Sequence, residues 1–284
     1  MTAHVTDPTL WAVTAMLAFV VTTSTMWLGW SVSPRIVEQL GSQFVVLLGI
    51  GLYYQVSGRS EALARMGYAS ALFLALANLG QATTYILGTV GAPFQDAALR
   101  AADAALGFSW TSWTAWVNQH PLLGRLFWVS YRSDLTEAAL LVMLLSLRSL
   151  EQVTAFLRAV ALSLGVALIG LELMPALGMI PDAPSIPVRL GLREGTYHSL
   201  SILGTPGIIS MPSFHAVMSV LVVVACWPFR SLRWPLLAWN VVMLVATISE
   251  GGHYLVDVLA GVMLAIVAAR VAGMPALRRS AVTH

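Results

Sequence analysis

The chain has 284 residues, of which 58% are apolar and only 10% are charged. Soluble globular domains carry roughly a quarter charged residues, so this composition excludes an ordinary soluble domain and indicates one integral membrane domain. The formal charge of +2 gives no indication of a nucleic-acid partner, and none is expected. The single Cys226 excludes an internal disulfide and a cysteine-based metal cluster.

Apolar segments of about 20 residues, the length that crosses a bilayer, recur along the chain. They predict an all-α polytopic bundle of eight spans. The predicted spans are residues 10–30, 42–57, 67–90, 122–147, 153–176, 212–229, 234–249 and 252–272. We expect the first span to be retained, because it lacks the basic start and cleavage site of a signal peptide. In the fourth span, Asp134 or Glu137 can neutralise Arg132.

The arginines between spans predict the orientation, because basic loops stay in the cytoplasm. All fifteen basic residues are arginine. The connections assigned to the cytoplasm, together with both termini, contain Arg59, Arg65, Arg148, Arg158, Arg230, Arg233, Arg278 and Arg279. Segments 91–121 and 177–211 and the turn at Glu250 then face the outside of an inner or plasma membrane. Arg189 and Arg193 lie on this outer side, against the rule.

Residues 97–118 precede the fourth span and combine small apolar residues with Trp110, Trp113 and Trp116 at a spacing of three. Tryptophan concentrates at the headgroup level of bilayers. The segment therefore predicts an interfacial helix on the outer surface, with a gate for lipid access as the alternative.

Two histidines and an aspartate begin the sixth and eighth spans on the expected outer side. SEGGHYLVDVLAG places His253 and Asp257 four residues apart, on one face of a helix, and SMPSFHAV places His215 in a first helical turn. A neutral His253 nitrogen can attack phosphorus while Asp257 holds the other ring nitrogen, and His215 can protonate the leaving oxygen. The same three side chains can also supply zinc ligands. The nearby arginines repel a cation and favour a phosphate, so no metal or cofactor is expected.

Candidate phosphate-binding groups accompany these residues. Arg189 and Arg193, in VRLGLREGTYHSL, can neutralise phosphate oxygens. The backbone N–H groups near Ser213 begin a helix, where the helix dipole favours an anion. Glu172, near the outer end of the fifth span, can line the same pocket or lie at the interface.

These motifs resemble those of the type 2 phosphatidic acid phosphatase superfamily, whose usual pattern is Lys-x6-Arg-Pro, Pro-Ser-Gly-His and Ser-Arg-x5-His-x3-Asp. Residues 212–215 match the second motif with phenylalanine in place of glycine, and His253 with Asp257 matches the third. The resemblance implies that His215 is the general acid and His253 the nucleophile, oriented by Asp257.

The sequence also departs from the usual pattern. Thr247 stands where the third motif has arginine, Arg193 is followed by Glu194 instead of proline, and the chain has no lysine. The combination of RLGLREG, PSFHA and GGHYLVDVLAG looks more like the branch that includes inositol phosphorylceramide synthases, which pass a headgroup to a lipid alcohol. The resemblance implies a six-span catalytic core within residues 67–284, preceded by an N-terminal addition, residues 1–66.

The sequence thus predicts a membrane enzyme that acts on a lipid phosphate or phospholipid through a phosphohistidine at the outer interface. Either water or a lipid alcohol can accept the group, so the enzyme is a hydrolase or a phosphotransferase. Because a diester carries one negative charge fewer than a monoester, a site with few cations slightly favours headgroup transfer. The alternative is a non-catalytic lipid-phosphate carrier or flippase that binds the headgroup at the same arginines.

Overall fold

Long apolar helices dominate the described residues, 7–200 and 207–274, of this computed structural model. The first six are α1 Pro8–Trp27, α2 Pro34–Ser57, α3 Glu61–Leu87, α4 Asp96–Ala105, α5 Trp110–Asn118 and α6 Pro121–Arg132. The next six are α7 Asp134–Arg148, α8 Leu150–Leu173, α9 Ser185–Glu194, α10 Phe214–Cys226, α11 Arg233–Glu250 and α12 Leu255–Val271. The predicted all-α membrane bundle is confirmed.

Four described helices, α1, α2, α3 and α8, are long and apolar enough to cross a membrane. The other four predicted spans correspond to α10, α11, α12 and a broken helix. That break divides the predicted span 122–147 into α6 and α7 at Ser133, whose hydroxyl donates to the Ser130 carbonyl at 2.7 Å. Side-chain competition for backbone groups of this kind disturbs a helix locally.

The polar residues beside the break do not form the ion pair that we expected. Arg132 lies over the exposed ring of Trp128, 4.8 Å from its centroid, and Glu137 accepts a hydrogen bond of 2.7 Å from Asn240. Arg132 ends α6 and Asp134 begins α7. Arg132 and Glu137 therefore have other partners than each other.

The N-terminal helices pack against the rest of the bundle at both ends. Asp7 caps α1 by accepting from the Thr9 backbone, and it also accepts from Arg158 of α8 at 2.6 Å. At the other end of α1, strand β1 (Ser31–Val32) pairs in parallel with strand β2 (Ser199–Leu200). α1 is thus tied to the bundle on both sides of the expected membrane.

The bundle has two chemically different ends. At one end Arg65 donates to the Ser146 carbonyl at 2.6 Å, and Arg148 lies over Phe229. The opposite end, called the site end below, brings together the last residues of α3 and α8, all of α9, and the first residues of α10 and α12. Arg278 and Arg279 lie outside the described residues, and the orientation of the bundle in a membrane stays a prediction.

Residues 97–118 form two helices instead of the one predicted. α4 ends at Ala105, Gly107 follows with a positive φ of 74°, and Ser109 caps α5 by accepting from the Ser112 backbone. A glycine past a helix end and a serine before the next helix favour this interruption.

Candidate active site

The turn between α11 and α12 presents His253 to the site end. Gly252 adopts a positive φ of 63°, and α12 begins two residues after His253. His253 Nδ1 lies 3.3 Å from Asp257 Oδ2, and that oxygen also accepts from the Tyr254 backbone at 3.2 Å. His253 is 7% exposed and Asp257 is fully buried. With the Nδ1 proton directed at the carboxylate, the Nε2 lone pair remains available for another group.

His215 lies beside this pair because the start of α10 packs directly against α12. Ser213 caps α10 by accepting from the Ala216 backbone, and its own N–H donates to the Asp257 carbonyl at 3.0 Å. A Cβ added at Gly261 of α12 would lie 2.9 Å from the Ala216 side chain. His215 and His253 are consequently close enough for their charges to interact.

Arg189 of α9 is the arginine that faces the histidine–aspartate pair. It donates to the Ala176 carbonyl and to Ser210 Oγ, while its Nε is buried with no hydrogen-bond partner among the described residues. Burial lowers the pKa of Arg189 to about 10, and the nearby carboxylates Asp96 and Asp257 oppose that shift. Arg189 therefore stays cationic at neutral pH, with a donor left over for an anion.

Arg193, one helical turn further along α9, points into a loop. It donates to the carbonyls of Gly91 and Ala92 at 3.0 and 2.7 Å and lies over the Phe94 ring. Glu172 lies next to it, beside Gly91. Three partners thus already hold the Arg193 guanidinium, and its predicted contact with phosphate stays a prediction.

The two arginines nevertheless line one small open pocket at the site end. Its other walls are mainly apolar and are formed by Leu87, Gly88, Val90, Phe94, Leu171, Pro175 and Ile208. An apolar cleft that contains cationic groups suits an amphiphile with an anionic head.

Asp103 of α4 occupies the N-terminus of α12. Its carboxylate accepts from the backbone N–H groups of Leu255 and Val256 at 2.9 and 3.0 Å. A free helix N-terminus attracts anions, but here a side chain of the protein already satisfies these donors. These two donors are therefore not free to bind a phosphate.

Asp96, two turns before Asp103, holds the loop that faces the histidine turn. It accepts from the backbone of Leu177 and Gly178 at 3.0 Å and from the Tyr254 hydroxyl at 2.8 Å. The buried residues of α4 are Asp96, Leu99 and Asp103. Sequence reasoning missed this role, although two aspartates seven residues apart on one face of an alanine-rich helix were a readable signal.

Tyr131, the second-last residue of α6, also belongs to the site and lies outside every motif. Its ring stacks on the His215 imidazole with centroids 4.1 Å apart and planes 19° apart. By contrast, Thr247 is fully buried and donates to the Met243 carbonyl. It presents no group in place of the arginine expected there. Among the described residues no group of three or more His, Cys, Asp or Glu side chains is arranged to hold a metal ion.

The fold and the site together define a helical membrane protein with a histidine–aspartate pair, a second histidine and an arginine at one end of its bundle. A family model described as the PAP2 superfamily matches residues 97–271, which is more than half of the chain. The chain therefore belongs to the PAP2 superfamily, and its membership supports a lipid phosphatase-type function on lipid phosphates in membranes. No curated protein and no solved structure matches the chain.

Proposed function

We propose that this chain is a membrane enzyme that transfers a phosphoryl group, with or without an attached headgroup, from a lipid through a phosphohistidine on His253. The observation that carries the proposal is the 3.3 Å contact between His253 Nδ1 and Asp257 Oδ2, beside a second histidine. A carboxylate on Nδ1 keeps the Nε2 lone pair exposed and stabilises the positive charge that develops on the ring during attack.

In the first step the His253 Nε2 lone pair forms a bond to phosphorus as the bond from phosphorus to the lipid oxygen breaks. The leaving oxygen keeps that electron pair and takes a proton from His215, so the lipid leaves as a neutral alcohol. In the second step an acceptor oxygen bonds to phosphorus while the phosphorus–nitrogen bond breaks. Its proton returns to His215, and His253 regains its lone pair. Each histidine thus ends in the state in which it began.

Arg189 is the principal phosphate-binding residue of this proposal. It is cationic and interacts with the charge of Asp257, and its buried Nε, like that of Arg193, lacks a partner among the described residues. A guanidinium beside a transferring phosphoryl group stabilises charge that spreads over the equatorial oxygens. Arg193 and Ser213 are secondary candidates, because Arg193 binds a loop and Ser213 caps α10.

Transfer of a headgroup to a lipid alcohol is slightly favoured over hydrolysis, as in the branch that includes inositol phosphorylceramide synthases. The reason is charge: Arg189 is the arginine that interacts with Asp257, and Thr247 contributes no cation. A phosphodiester, with one negative charge, needs less neutralisation than a monoester. The site is proposed to face the outside of an inner or plasma membrane, with six spans of residues 67–284 forming the catalytic core.

The direct test is to trap the covalent intermediate. Purified protein is mixed with phosphorus-labelled phosphatidate or a labelled phosphodiester phospholipid and quenched in alkali, which preserves phosphohistidine. We expect acid-labile label on the wild type and none on His253→Ala, which should still bind the lipid. His120→Ala is the matched control, because His120 is exposed and contacts Trp116 on the surface. A wild type that binds lipid but acquires no label and turns over nothing would indicate a carrier or flippase instead.

Product analysis then separates the two acceptors. Labelled enzyme is supplied with diacylglycerol or another long-chain alcohol in vesicles, and the products are separated by chromatography. A labelled lipid product supports transfer. Release of water-soluble phosphate alone, at a rate that the alcohol does not change, would overturn the preference for transfer and identify a hydrolase.

A further inference from the structure

Tyr131 is a polar residue at the site that the proposed reaction does not yet use. It lies at the end of α6, 84 residues before His215 in the sequence, and its ring covers the His215 imidazole face to face. Stacking restricts the rotation of an imidazole ring. The contact therefore holds the plane in which His215 can exchange a proton.

The Tyr131 hydroxyl and the His253 ring both lie next to Gly251. A Cβ added at Gly251 would be 2.9 Å from the Tyr131 hydroxyl and 2.8 Å from His253 Cδ2. Both atoms thus border the same small space. Cδ2 is bonded to Nε2, so this space borders the edge of the imidazole that carries the attacking nitrogen, whereas Asp257 contacts Nδ1.

That hydroxyl is a donor without a partner in the part of the chain that the structure describes. No hydrogen bond joins it to any residue of 7–200 or 207–274. Tyrosine hydroxyls in packed regions usually find a hydrogen-bond partner. A bound oxygen atom at the Nε2 edge would supply that partner.

We propose that Tyr131 contacts the substrate phosphate, donating its hydroxyl to a phosphoryl oxygen while its ring positions His215. The inference rests on the proposed function of the same site and deepens it. The group recognised is a phosphate ester of a lipid, preferably a singly charged diester, because Tyr131 adds a neutral donor where a second cation would suit a dianion. Arg189 and Tyr131 also interact electrostatically, so the two donors can approach one phosphoryl group.

The close approach at Gly251 strengthens the inference. Any side chain at this position would displace the His253 ring or the Tyr131 hydroxyl, both of which lie under 3.0 Å from its Cβ. Distances this short are not accommodated without a shift in packed protein. The absence of a side chain at residue 251 thus keeps the space between hydroxyl and imidazole open.

Tyr131→Phe removes the hydroxyl and preserves the stack, so it isolates the proposed hydrogen bond. We expect the rate of phosphohistidine formation at saturating lipid to fall roughly 10- to 100-fold, the scale seen when one donor to a developing oxyanion is removed, with little change in thermal stability. Tyr68→Phe is the matched control, because it removes a hydroxyl that donates to Gln55, far from the site. Tyr131→Leu also removes the stack. It should additionally shift the part of the pH profile of kcat that depends on the protonation of His215.

The outcomes separate this inference from the proposed function. If the wild type forms phosphohistidine and Tyr131→Phe forms it at the same rate and pH profile, the inference is overturned and the function stands. If the wild type forms none, binding of inorganic phosphate is compared by thermal shift. Weaker binding by Tyr131→Phe than by Tyr68→Phe would then support the phosphate contact without the transfer. Equal binding would overturn the contact as well.

Discussion

Replacing Gly261 by alanine is expected to slow phosphoryl transfer by pushing α12 away from the start of α10. Gly261 is buried in α12, and a Cβ there would lie 2.9 Å from the Ala216 Cβ and closer still to the Ser213 carbonyl oxygen. Non-bonded carbon atoms prefer separations of about 3.5–4.0 Å. The helices must therefore separate by about 0.5–1 Å.

That displacement acts directly on the site, because α12 carries Asp257 and directly follows the turn with His253, and α10 carries His215. A misplacement of about 1 Å between reacting groups can cost about 100-fold in rate. We expect single-turnover phosphohistidine formation in Gly261→Ala to fall by roughly that factor. The overpacking should also cost about 1–3 kcal/mol of stability, partly offset by the better helix propensity of alanine, which contributes about 1 kcal/mol.

Gly165→Ala is the matched control for this experiment. It makes the same substitution inside α8, where a Cβ would meet nothing within 4 Å. We expect wild-type rates and equal or slightly higher stability. If folded Gly261→Ala protein formed phosphohistidine within about twofold of the control, the dependence of the reaction on the spacing of α10 and α12 would be refuted.

Three further changes probe the groups around the site. Asp103→Ala removes the cap of α12 and should lower the free energy of unfolding in detergent by about 1–2 kcal/mol. Asp182→Asn, at an exposed position, should leave that free energy unchanged. Equal stability of the two variants would contradict the capping role. Arg189 loses its charge only above its pKa of about 10, so kcat/KM should fall above that pH. In Arg189→Lys this fall in kcat/KM should occur about two pH units lower, following the reference pKa values of the two side chains. A fall at an unchanged pH would assign it to another group. Trp30→Ala should cost about 3–5 kcal/mol, because Trp30 is 9% exposed and packs on Tyr197; an unchanged unfolding midpoint would argue against that packing.

The hydrogen bonds of two α4 aspartates connect this helix to the candidate active site. Asp96 and Asp103 hold the backbone on both sides of His253, at residues 177–178 and 255–256. The exposed side of α4 consists mainly of alanine. The helix thus turns its polar face toward the protein. A helix that only lies on a membrane surface has the opposite orientation, with its polar face toward water.

Composition and local spacing were sufficient to predict the class of fold and the central pair of the site. A chain this apolar must satisfy its backbone groups within helices when it crosses a bilayer, and the all-α bundle follows. His253 and Asp257 meet because residues four apart in a helical segment share a face whatever the rest of the molecule does. The superfamily was predicted for the same reason, since its motifs consist of residues close in sequence.

Tertiary packing decided which distant residues complete the site. Arg189 and Arg193 share one face of α9, yet only the path of the neighbouring segments brings Arg189 near Asp257 and Arg193 to the carbonyls at residues 91–92. The Tyr254 hydroxyl meets Asp96 across 158 residues of sequence, and Tyr131 reaches His215 from another helix. Periodicity specifies which face of a helix is buried, but the partner of that face depends on how the helices cross, which no local pattern encodes.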